Sequence, residues 1–107
     1  MKTAKTVLES LKSLGLLTSY KIERTSTEDS NHGTRYTKVE GKGEGLSISE
    51  ETYGNKSFLY CWFNREDKDL YGRITSAICV CGGDYKPWNN GLIEIEISAI
   101  KGYHHWE

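Results

Sequence analysis

The stretch that most constrains this chain is Leu46-Ser-Ile-Ser-Glu-Glu-Thr-Tyr-Gly-Asn-Lys-Ser-Phe-Leu-Tyr-Cys-Trp-Phe63. Gly54-Asn55 divides it with a two-residue turn, the favoured kind in hairpins because glycine accepts the positive φ that such a turn requires. The turn fixes the register: Tyr53 faces Lys56, Ile48 faces Cys61 and Leu46 faces Phe63. One face then collects Leu46, Ile48, Leu59, Cys61 and Phe63 and is expected to be core. The other sets Ser47 beside Trp62, Ser49 beside Tyr60 and Glu51 beside Phe58. The second strand is therefore apolar on both faces. Burial stabilises by roughly 25 cal/mol per Å² of apolar surface, so Phe58, Tyr60 and Trp62 need a cover. It comes either from the chain itself, as a curled sheet or a docked C-terminus, or from a partner.

The N-terminal segment has a different period. Thr6-Val7-Leu8-Glu9 has the form of a capping box, with Thr3 as an alternative cap one turn earlier. Val7, Leu8, Leu11 and Leu14 follow at helical spacing, and Gly15 supplies the left-handed residue that ends many helices. The expected helix runs from about Thr3 to Leu14.

Beyond it the sequence has β character, with Tyr, Ile and Thr between clusters of Gly, Asn, Asp and Ser. Tyr20 to Thr25 and Thr34 to Glu40 read as strands, with a polar loop from Thr27 to Gly33 between them. The glycines of Glu40-Gly-Lys-Gly-Glu-Gly45 read as a flexible hairpin loop, because no strand-to-helix junction with Lys-Ser/Thr follows to make a phosphate loop. A last hairpin turns at Asn90-Gly91. Its second strand alternates Ile93, Ile95 and Ile97 with Glu94, Glu96 and Ser98. Its first strand is expected over Arg73 to Cys81, continued by Asp84 to Trp88, with a bulge at Gly82-Gly83. That strand would place Ile74, Ile78 and Val80 on one face and Ala77, Cys79 and Cys81 on the other. Asn64 to Asp69 reads as a solvated loop. The expected fold is α+β: one N-terminal amphipathic helix on a largely antiparallel sheet of five or six strands, in a single 107-residue domain that is β-rich from 19 to 106.

Charge excludes several function classes. Lys plus Arg number 14 against 15 Asp plus Glu, with no block of either sign to mark a nucleic-acid arm or a polybasic membrane patch. No run in the first thirty residues is apolar enough for a signal peptide or a membrane span, so a cytoplasmic location is expected. Three cysteines without a CxxC pair fit reduced thiols.

The candidate partner-binding residues are the rings Phe58, Tyr60 and Trp62, joined by Tyr103 and Trp106 of the C-terminal Gly102-Tyr-His-His-Trp-Glu107. Aromatic side chains carry much of the energy of protein interfaces, and a loose polar tail would not need two of them. Glu51, Asp67, Asp69, Glu94 and Glu96 would steer a basic partner. Acids beside the rings, rather than Lys or Arg, argue against a base-stacking sheet that binds nucleic acid. A Cys79/Cys81 metal site with a terminal histidine lacks the usual ligand spacing, so neither metal nor cofactor is expected. Glu94 and Glu96, about 7 Å apart on one strand face, read as solvent cover rather than an acid pair.

The expected function is a small non-catalytic inhibitor that binds another protein by occlusion. Bacterial toxin-immunity proteins are one class of this kind; phage proteins that block a host defence complex are another. The partner would be a basic toxin or a defence enzyme. This assignment rests on size and on the absence of a catalytic motif. The rivals are a nuclease-like enzyme using His32 with His104 or His105, a nucleic-acid-binding sheet, and a homodimer that buries the same rings.

Overall fold

The computed structural model describes residues 2–26, 35–53, 56–88 and 90–97. In chain order the elements are α1 (Ala4–Ser13), β1 (Ser19–Ser26), β2 (Arg35–Gly43), β3 (Leu46–Tyr53), β4 (Lys56–Phe63), α2 (Lys68–Val80), β5 (Tyr85–Trp88) and β6 (Leu92–Ile97). The strands form one antiparallel sheet in the order β1-β2-β3-β4-β6-β5. The α+β expectation holds, with a second helix added.

α1 begins at the earlier of the two caps. The Thr3 hydroxyl accepts from the Thr6 backbone N–H at 3.2 Å, which places Thr6 inside the first turn rather than at the start. At the other end Gly15 takes φ +76°. Its N–H donates to the Lys12 carbonyl and that of Leu16 to the Leu11 carbonyl, the paired bonds of a Schellman motif. Leu16 and Leu11 are both buried, so the cap also packs.

α2 replaces the strand expected from Arg73 to Cys81. Asp67 caps it through a side-chain bond from the Leu70 N–H at 2.9 Å, and Leu70, Ile74, Ala77 and Ile78 are buried at helical spacing. Val80, which the strand reading placed beside Ile74 and Ile78, is 76% exposed. The β-branched residues Ile74, Thr75, Ile78 and Val80 gave the segment its strand character; burial of one helical face overrides that preference. Gly82-Gly83 is not a bulge. Gly82 has φ +75°, its N–H bonds Cys79 and that of Gly83 bonds Ile78, a second Schellman cap. The segment from Asn64 is thus a loop only as far as Asp67.

β2 runs through the glycines that read as a loop. Its register with β3 pairs Gly41 with Ile48 and Gly43 with Leu46, leaving Glu44-Gly45 as a two-residue turn with Gly45 at φ +70°. Gly41 and Gly43 occupy the inner face, where α1 and the segment after it come closest. A Cβ on Gly41 would stand 3.5 Å from Leu8 Cδ2, and one on Gly43 would strike the Leu16 carbonyl. An alternation of charged residue and glycine is here a strand whose inner positions must be small.

The core lies between this inner face and both helices. Val7, Leu8 and Leu11 of α1 and the four buried residues of α2 meet Val39, Leu46, Ile48, Leu59, Cys61, Ile93, Ile95 and Ile97. The Ser10 hydroxyl donates to the Ala77 carbonyl at 2.7 Å and ties the helices together. Tyr20 donates from its phenol to the Glu9 carboxylate, which raises the Tyr20 pKa and joins β1 to α1. No helix among the described residues is long and apolar enough to cross a membrane.

The helical register of α2 is open to a direct check. Ile74→Ala should lower unfolding free energy in urea by about 2–5 kcal/mol, and Val80→Ala by less than about 0.5 kcal/mol. Comparable losses at the two positions would return this segment to a strand.

Candidate binding face

With both helices on one side, the other side of the sheet is defined by the alternate residues. β3 and β4 pair as expected, Ser47 with Trp62, Ser49 with Tyr60 and Glu51 with Phe58. β6 continues each row: Leu92 lies beside Trp62, Glu94 beside Tyr60 and Glu96 beside Phe58. β5 adds Trp88 beside Leu92 and Lys86 beside Glu94. Three rows therefore cross the outer face, Trp62-Leu92-Trp88, Tyr60-Glu94-Lys86 and Phe58-Glu96, spaced by about 7 Å along the strands.

The rows differ in exposure. Trp62 and Trp88 are 41% and 46% exposed, while Phe58 and Tyr60 are half-buried. Tyr60 meets Trp62 edge to face, with ring centroids 6.4 Å apart. Leu92 is only 8% exposed, yet stands apart from the core cluster, on the side away from the helices. Lys86 Nζ lies 4.4 Å over the Trp88 ring, a cation–π contact on the same face. Glu94 and Glu96 are half-buried and Glu51 is exposed.

The structure brings Phe58, Tyr60, Trp62, Glu51, Glu94 and Glu96 together on this face. Asp67 and Asp69 belong to the first turn of α2, on the helix side of the sheet, and Asp67 is engaged as the cap. Tyr103, Trp106, His32, His104 and His105 lie outside the described residues. Cys79 and Cys81 do not share a strand face: they sit two apart at the end of α2, where such neighbours point in different directions. Cys61 is fully buried, and burial pushes its thiol up to about 12. Among the described residues no group of three or more His, Cys, Asp and Glu could hold a metal ion.

Sequence reasoning missed Trp88 and Leu92. A two-residue turn at Asn90-Gly91 would set Trp88 opposite Ile93, on the inner face; the actual register pairs Trp88 with Leu92 and leaves three residues between the paired ends. One extra residue moves the ring to the other side of the sheet. The signal was present in Asn89-Asn-Gly91, since three-residue hairpin loops commonly end on a left-handed glycine, and Gly91 has φ +82°. The position also has no room for a side chain, because a Cβ on Gly91 would strike the Phe63 carbonyl.

No protein-family model, no curated protein and no solved structure matches this chain.

One titrating group lies under the sheet rather than on the face. Glu50 pairs with Leu59, on the helix side of β3 just past the end of the β2 ladder, and its burial pushes the carboxyl up to about 7 from 4.5. The folded state thus holds the proton to higher pH than the unfolded chain does, so Glu50 costs nothing well below pH 4.5 and lowers stability as pH rises through 7. Glu50→Gln should be more stable than the native chain at pH 8, by about 1 kcal/mol once solvent screening of a half-exposed group is allowed for, and equal to it well below pH 4.5, at about pH 3. Urea titrations at the two pH values check this; an equal offset at both would mean that the carboxyl is not the cause.

Proposed function

We propose that this chain is a small non-catalytic binding protein that occludes a macromolecular partner with the outer face of its sheet. The observation that carries the reading is the pair of indoles, Trp62 and Trp88, left 41% and 46% exposed on the face opposite both helices. Tryptophans are among the side chains whose removal costs most at interfaces. The sheet beneath them is anchored to the core through Leu59, Cys61, Ile93 and Ile95, all without solvent exposure, so the face is held rigid and little ordering is required on binding. A toxin-immunity protein in the cytoplasm is the class that fits first, with a protein that blocks a defence complex as the second; in both, the partner is a protein and the effect is steric.

The test uses the native chain and Trp62→Ala as paired baits, with thermal unfolding of both recorded. A partner retained by the native chain should be lost from the variant, and once it is identified the substitution should weaken binding by about 2 kcal/mol or more, roughly thirtyfold in Kd, at unchanged folding. A partner held equally by both baits would refute the reading. So would unfolding of the variant, which would make Trp62 a core residue.

A further inference from the structure

The outer face is graded in chemistry along β6. At one end Leu92 lies between Trp62 and Trp88 on the adjoining strands, so two exposed indoles stand about 10 Å apart at the backbone with a leucine kept from water between them. About 7 Å along the strand is Glu94, and about 14 Å along is Glu96, with Glu51 across Phe58 as a third carboxylate at that end. Among the described residues Glu94 and Glu96 have no ion-pair partner. Lys86, the nearest cation in register, lies over Trp88 instead. The face therefore carries two indoles and a leucine at one end, with Lys86 laid over Trp88, and three carboxylates at the other, with one lysine, Lys56, at its margin two residues before Phe58.

We propose that the occupant of this face is an extended basic segment of a protein partner. Its apolar, aromatic or proline side chain sits between Trp62 and Trp88, and a Lys or Arg two to four residues away meets Glu94 and Glu96. The proposal rests on the outer face being the binding surface and adds the chemistry and direction of what binds there. An extended segment advances about 3.4 Å per residue, so two to four residues span the distance from Leu92 to Glu94 or Glu96. Carboxylates that lose water on docking need a cation in return, which selects Lys or Arg at that end. The same three carboxylates repel a phosphate backbone. A second copy of this chain fits poorly: a two-fold axis running along β6 sets Glu94 on Glu94 and Glu96 on Glu96, and one across it sets Glu96 on Leu92.

The test pans displayed random twelve-residue peptides against the whole native chain, then measures dye-labelled selected peptides by anisotropy. Selected sequences should share an apolar, aromatic or proline position with Lys or Arg two to four residues away. Trp62→Ala, Trp88→Ala and the double reversal Glu94→Lys/Glu96→Lys should each weaken them by about tenfold or more at unchanged thermal unfolding. The double reversal alters two half-buried side chains of the outer face, outside the core cluster, and serves if an indole variant does not fold. Selected peptides without a basic residue, or ones that bind the charge-reversed chain as tightly, would overturn the proposal; the binding face would still stand if the indole variants lost them. Equal binding to the indole variants would end both. Failure to enrich any peptide, or competition by a single-stranded oligonucleotide, would likewise overturn the proposal.

Discussion

The central strand β4 is bonded on both sides, to β3 and to β6, so its backbone is satisfied within the sheet and each row of its side chains must be accounted for by what packs above or below. Below, Leu59 and Cys61 reach zero exposure and meet the helices, with Ser57 buried beyond them. Above, Phe58, Tyr60 and Trp62 form the spine of the outer face. The same strand thus holds the core and presents the rings. A substitution that slipped its register by one residue would exchange the two rows, which is why the Leu46–Phe63 hairpin determines so much of the rest.

The pairing of β3 with β4 was legible because two signals in the sequence agreed, an apolar face contributed by both strands and a two-residue turn at Gly54-Asn55, which itself lies outside the described residues. α2 was not. Its helical face, Leu70, Ile74, Ala77 and Ile78, competes in the sequence with an alternation of β-branched residues, and local propensity favoured the strand. What decides is tertiary: α1 offers a surface to pack on, and capping by Asp67 and Gly82 satisfies the helix ends. The glycines of β2 failed for a similar reason. Their role is visible only once Leu8 and Leu16 are seen to need the space above them.

On the outer face, the rings of β4 and the glutamates of β6 were readable as separate alternations. Their union was not, because strand order is a long-range property and the pairing of β4 with β6 crosses α2. That pairing sets Glu94 and Glu96 beside Tyr60 and Phe58. The three-residue connection before β6 then turns Trp88 outward to complete the indole row. A face that reads as a row of rings with solvent cover nearby becomes a surface with an indole end and a carboxylate end.

A surface that binds a partner through Trp62 and Trp88 requires that this indole row meet water in the folded chain. Acrylamide quenching of tryptophan emission decides it, in Trp→Phe variants that leave Trp62 or Trp88 as the sole indole, across a range of protein concentrations. Free quenching of both in a folded monomer is the result expected. Protection of Trp62 at every concentration would contradict it, showing that the outer face is already covered by the chain itself and has no surface to offer.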